Sequence, residues 1–174
     1  DVMVIADDAK ALAIAGIMGG LSSSVTDATT EIFLESAFFA PLHIAGRARR
    51  YGLHTDASQR YERGVDFELP MMAMHRASQL IQSLAGGEFG PITVAERAEL
   101  LPKREAIELN QAQVDQLLGY QVESTFITDA LQRLGCVVTV KAEGEWTVVP
   151  PTHRYDMAIY QDLIEEVARI HGYD

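Results

Sequence analysis

Asp162, Glu165 and Glu166 follow an i, i+3, i+4 spacing, which on a helix places three carboxylates on one face. Asp156 stands just before them. Like charges this close repel unless a cation or a basic partner compensates them. Four oxygen donors in a short stretch suit a hard cation such as Mg²⁺, which takes carboxylates and keeps several waters. A solvated helix face, its first turn favoured by the helix dipole, explains the same spacing. Glu35 sits in EIFLESAFF, where strand alternation puts it on the same side as Phe33 and Ala37. A carboxylate among apolar neighbours needs a hydrogen bond, and in a pocket it would select a ligand hydroxyl; at an edge it would simply face water. The glycines of GIMGG permit a tight turn and close backbone approach, without the spacing of a phosphate-binding loop. Arg47, Arg49, Arg50, Arg60 and Arg63 face only Asp56 and Glu62 within 46–63, a local charge of +3. With Tyr51, His54 and Tyr61 they resemble a phosphate-facing patch; ion pairs to Asp56, Glu62 and Asp66 are the alternative.

The elements that position these residues can be read in outline. VMVIA and ALAIAGI, separated by DDAK, form a hairpin pattern, and EIFLESAFF and PITVAE read as further strands. Apolar residues from Glu68 to Ala85 recur at helical spacing, which predicts a helix packing Leu69, Met72, Leu80 and Leu84 into a core and ending at Gly86. Polar residues and Pro102 near 96–104 mark a boundary, giving modules 1–98 and 99–174. The second reads as a short strand at AIEL, then a helix N-capped by Asn110 and ended by Gly119. A helix over 124–134, a hairpin around Glu143–Gly144 and a helix over 158–171 that turns Ile159, Leu163, Val167 and Ile170 inward complete it. That order is winged-helix-like, so the class is α+β with two small modules. A DNA-reading wing needs basic residues on its second helix, which offers only Arg133 beside Asp129.

Composition narrows the possibilities. The 174 residues carry 14 Lys+Arg against 25 Asp+Glu, a net charge of −11. That acidity speaks against non-specific nucleic-acid affinity, which comes from basic side chains neutralising phosphates. The chain opens at Asp1 in a strand-like run and reads as a piece excised from a longer protein. No apolar stretch is long enough to span a membrane. The lone Cys136 has no partner for an internal disulfide and suits a reducing compartment and a buried position.

AIAGIMGG, LESAFFAP, GRARRYGLHTDASQRYERGVD and GG-E-GP, followed by PPTHRYDMAIYQDLIEEVARIHGYD, together resemble the β subunit of bacterial phenylalanyl-tRNA synthetases. The resemblance runs through essentially the whole chain in order. It implies that 1–98 is the C-terminal part of the tRNA-editing domain, an incomplete α/β portion, and that 99–174 is the small winged-helix-like module after it. It implies hydrolysis of tyrosine misattached to tRNA(Phe), with Gly19, Glu35, Thr55 and Ala57 in the editing pocket: Glu35 and the Gly19 backbone on the phenol or amino group, Ala57 leaving room for the ring, Thr55 lining the wall. No nucleophilic side chain is implied, and the pocket lacks residues from upstream, so the isolated piece is expected to be inactive. The resemblance further implies Mg²⁺ ligands Asp156, Asp162, Glu165 and Glu166 shared with an α subunit, ATP use by the parent enzyme, an α2β2 heterotetramer and a cytoplasmic setting. Thr152 and His153 depart from the Ser-aromatic pair that many members carry before Arg-x-Asp. A non-catalytic winged-helix nucleic-acid-binding or assembly module is the competing reading.

Overall fold

Asp7 closes the first turn of the chain by accepting the N–H groups of Ala9 and Lys10 at 2.8 and 2.7 Å. This side-chain turn folds β1 (Val4–Ala6) back onto β2 (Ala11–Ile14). A tight turn then sends the chain into β3 (Met18–Gly19), which pairs antiparallel with β2. The turn needs two glycines for different reasons. Gly16 has φ +66° and lies under Phe39 and Tyr61. Gly20 has ordinary backbone angles, but a Cβ there would sit 2.4 Å from the Leu12 carbonyl oxygen. The computed structural model describes residues 1–172, which divide into a first unit, Asp1–Ala98, and a second unit from Glu99 onward.

In the first unit the three-stranded meander is followed by α1 (Pro41–Ile44), α2 (Arg47–Arg50), α3 (Asp56–Tyr61) and α4 (Leu69–Ala85). Its core is small: Ile17, Ile44 and Ala48 are buried, with Phe39, Leu53 and Tyr61 packed on them. Three expectations fail here for one reason. EIFLESAFF and PITVAE are not strands, because among the described residues no neighbouring strand completes a ladder with them; β1, β2 and β3 pair among themselves. Phe33 is accordingly 96% exposed. The third is the apolar stripe of α4. The helix forms, and Gly86 ends it by donating to the Gln82 carbonyl, yet no residue of α4 is buried and Leu84 is 85% exposed. Periodicity specifies a helix and its apolar face; burial needs a second surface.

The second unit follows its expected order: β4 (Ile107–Asn110), α5 (Gln111–Leu118), α6 (Ser124–Arg133), β5 (Val137–Ala142), β6 (Glu145–Val149) and α7 (Tyr160–His171). The antiparallel sheet has the order β4-β6-β5, so the hairpin's second strand is central. Asn110 and Gln113 exchange side-chain and backbone hydrogen bonds at 2.9 Å, a reciprocal cap on α5. Ile127 and Leu131 of α6, Leu163, Ile164 and Val167 of α7, and Trp146 of β6 form one buried cluster. Ile159, expected inside, caps α7 from an exposed position, and Ile164 takes its place in the core. Cys136 is buried just before β5, and burial raises its thiol above the usual range. Among the described residues no helix is long and apolar enough to cross a membrane.

Candidate functional site

In the first unit three separated sequence motifs are drawn together around Tyr61. Thr55, before α3, donates its hydroxyl to the Ile17 carbonyl at 2.8 Å, fastening HTDAS to GIMGG. Tyr61, at the end of α3, donates to the Ala37 carbonyl at 3.1 Å, fastening the same helix to LESAFF. Phe39 packs on Tyr61 with ring centroids 5.2 Å apart, above Gly16. Thr55 Oγ1 also accepts the Ser58 N–H at 3.0 Å, and Ser58 Oγ accepts the Thr55 N–H at 3.1 Å. The Thr55 hydroxyl is thus used on both sides, as donor to β2–β3 and as helix cap.

Glu35 reaches solvent, but partial burial holds its carboxyl above the ordinary value. The Tyr61 phenol is raised first by burial and then by the Glu35 charge, which places the two groups within electrostatic reach. Gly19 lies in β3 opposite Ala13, and a side chain there would meet nothing within 4 Å. Ala57 is half-buried in the first turn of α3. The arrangement offers an acceptor carboxylate, an accessible backbone and a small residue at the start of a helix. Two concavities, one beside His43 and Arg47 and one beside Trp146, are not lined by Gly19, Glu35, Thr55 or Ala57. Tyr61, the hub of the packing, carried no signal beyond its place in the arginine-rich stretch.

The acidic group of the second unit is built around a residue that spacing did not single out. Arg154 donates Nε to Asp156 Oδ1 at 2.9 Å, and Nη2 to Asp156 Oδ2 at 2.7 Å and to Glu166 Oε1 at 2.9 Å. Arg169 pairs with the other oxygen of Glu166. The Arg154 guanidinium holds the Asp156 carboxyl below its usual value; Arg169 and then Arg154 do the same for Glu166. Asp162 Oδ2 accepts the N–H groups of Ala158 and Ile159 at 2.8 and 2.9 Å, closing the first turn of α7. Glu165 is exposed. The compensation that the spacing demands therefore comes from two arginines and a helix cap. Among the described residues no three His, Cys, Asp or Glu side chains come together as a metal-ligand group. The visible signal was Arg-x-Asp ahead of a helix containing Glu-Glu.

The nucleic-acid reading of the winged-helix unit fares poorly on the same grounds. Arg133 of α6 is paired with Asp129, and the concavity of about 400 Å³ between α6 and the β5–β6 hairpin is lined by Asp129 and Glu143. Phosphates would meet carboxylates there.

Residues 1–86 match the family model of the B3/4 domain, and residues 107–173 match that of the tRNA synthetase B5 domain. Over all 174 residues the chain is 80% identical to the phenylalanine–tRNA ligase beta subunit of Acinetobacter baylyi. It is 55% identical over 172 residues to that of Aliivibrio fischeri, and 53% identical over 174 residues to that of Methylococcus capsulatus. The chain belongs to the phenylalanine–tRNA ligase beta-subunit family. It spans 22% of the length of each of these relatives. Within this family the meander, the short helices and all of α4 fall in the B3/4 match, and the winged-helix-like unit from β4 onward falls in the B5 match. The last two residues of the tail motif, 173 and 174, lie outside the described residues.

Proposed function

We propose that this chain serves phenylalanine–tRNA ligation as part of a β subunit, its first unit contributing to hydrolytic editing of tyrosine-charged tRNA(Phe). The observation that carries this reading is the meeting of GIMGG, LESAFF and HTDAS around Tyr61, with the Glu35 carboxylate within electrostatic reach of it. A synthetic pocket shaped for phenylalanine rejects an added hydroxyl only modestly, so a second site must recognise that hydroxyl and destroy the product. Glu35 offers the acceptor, the Gly19 backbone a close approach, and Ala57 space for a ring. Thr55 acts by holding α3 against the β2–β3 turn. Attack by a positioned water, rather than by a side-chain nucleophile, suits a site whose polar groups are an acceptor and backbone. Glu35→Ala in the complete enzyme is expected to lower deacylation of tyrosyl-tRNA(Phe) about 10- to 100-fold while phenylalanine charging stays normal. Unchanged deacylation would remove Glu35 from the site.

The second unit, on this reading, supports α–β assembly and a Mg²⁺ ion shared with the α subunit, in an α2β2 cytoplasmic enzyme that consumes ATP. The hard oxygens of Asp156, Asp162, Glu165 and Glu166 suit that ion chemically. Mg²⁺ commonly takes only one or two protein carboxylates and keeps its waters, so Asp162 and Glu165 suffice from this side. When bound, the ion supplies positive charge between two chains; Arg154 and Arg169 hold the remaining carboxylates in place. Millimolar Mg²⁺ is expected to raise the thermal midpoint of the assembled enzyme, and Asp162→Ala with Glu165→Ala to abolish that rise. An unchanged response in the double variant would reduce these carboxylates to internal ion pairs and a cap.

A further inference from the structure

The arginines of the stretch 46–63 have no part in the site described so far. Its charge of +3 stands within a chain of −11 that holds 25 carboxylates. In the second unit arginines find those carboxylates: Arg133 meets Asp129, Arg154 meets Asp156 and Glu166, and Arg169 meets Glu166. In the first unit the nearby acids are not used this way. Among the described residues Arg47, Arg49, Arg50 and Arg60 enter no ion pair, although Asp56, Glu62 and Asp66 lie close in sequence. Asp66 instead accepts the Glu68 N–H at 2.9 Å, and Arg63 donates to the Gln59 carbonyl at 2.8 Å.

Arg47 is the most confined of them. Its Nε is shielded from water and has no acceptor among the described residues. It lines, with His43, a concavity of about 300 Å³ that Asp1, Val2 and Met3 complete. Arg49 and Arg50 are exposed on the same single-turn helix, α2. Tyr51, 51% exposed, follows at once, and His54 is exposed just beyond. Three guanidinium groups on one turn repel one another, and an orphaned guanidinium nitrogen loses its water without a replacement. An external polyanion removes the first of these costs.

We infer that α2 and the loop leading to α3 bind the sugar-phosphate backbone of RNA, with Arg47, Arg49 and Arg50 on successive phosphates and Tyr51 offering a face on which a base stacks. The inference rests on the tRNA reading above and names the surface that would hold that substrate. A strand supplies several phosphates in a row together with bases, which matches arginines followed by exposed aromatic rings. An inorganic phosphate would engage one or two guanidinium groups and leave the rings idle. A flat anionic membrane would also confront the acidity of the rest of the chain.

The test uses the complete enzyme carrying Arg47→Gln, Arg49→Gln and Arg50→Gln together. The KM for deacylation of tyrosyl-tRNA(Phe) is expected to rise about tenfold with kcat unchanged. Losing three phosphate contacts should also flatten the slope of log affinity against log salt by about 2, measured by anisotropy of labelled tRNA. The triple lysine variant should retain most of the affinity, and Arg133→Gln should change nothing. An unaltered KM and salt slope in the glutamine variant would overturn the inference. So would a loss confined to binding of phosphatidylserine vesicles, or full competition by inorganic phosphate at equal phosphate concentration. Failure of the editing reading is separable: Glu35→Ala would then leave deacylation intact, while the anisotropy measurement still decides the arginine surface.

Discussion

Trp146→Ala is expected to destabilise the second unit by about 3–5 kcal/mol, a large part of what a domain of this size possesses. Trp146 is 1% exposed at the centre of the buried cluster, on the central strand of its sheet. Its indole Nε1 donates to Thr128 Oγ1 at 2.9 Å, and Thr128 in turn donates to the Ser124 carbonyl at 2.9 Å. Alanine leaves a cavity the size of the indole and removes a donor from a part-buried hydroxyl. Trp146→Phe keeps most of the volume and loses only the donor, so it should cost about 1–2 kcal/mol. Urea unfolding followed by far-UV circular dichroism measures both. In the unsubstituted chain the fluorescence of the single tryptophan reports the second unit alone. A cost below about 1 kcal/mol for alanine would mean that this residue does not hold the core together.

Arg154→Met is expected to cost about 2 kcal/mol at neutral pH, and the cost should shrink in acid. Arg154 and Glu166 are 19% and 12% exposed as side chains, so methionine would leave a largely buried carboxylate with Arg169 and strip Asp156 of its hydrogen-bonded guanidinium. The pH dependence has a definite sign. The folded values of Asp156 and Glu166 are both lowered. Their stabilisation is therefore complete above the unfolded carboxylate values and is lost as pH falls through the lowered folded ones. Unfolding free energies of the two proteins should lie furthest apart near pH 7 and converge below about pH 4. A constant difference from pH 7 to pH 3 would show that Arg154 acts through packing of its stem rather than through its charge.

The legible parts of this molecule are those whose causes are local. Asn110 before α5, the glycine after it, and Glu143–Gly144 between β5 and β6 act through contacts within a few residues, so they could be placed without knowing the fold. The apolar spacing of α7 named two of its four buried residues, Leu163 and Val167, and missed Ile164 and Ala168, because the stripe fixes the direction of the face and its width depends on what packs against it. EIFLESAFF defeated the same approach. Its composition suits a strand, but a strand exists only through a neighbour, and none pairs with it. The α4 stripe was read correctly as a face and wrongly as core, since a periodic pattern carries no information about what covers it.

The candidate sites divide in the same way. The amino-acid sequence by itself determined the family, the order of the two units, the segments GIMGG, LESAFF and HTDAS, and the acidic spacing of the final helix, because residue types and intervals are properties of a string. Tertiary structure alone decided what those residues touch. It spent the Thr55 hydroxyl on a cap and on the Ile17 carbonyl, brought Tyr61 within electrostatic reach of Glu35, and gave Arg154 to Asp156 and Glu166 while leaving Arg47, Arg49 and Arg50 without ion pairs among the described residues. Hydrogen bonds and charge pairs form between groups that the chain brings within a few ångströms, and separation along the sequence does not specify that distance.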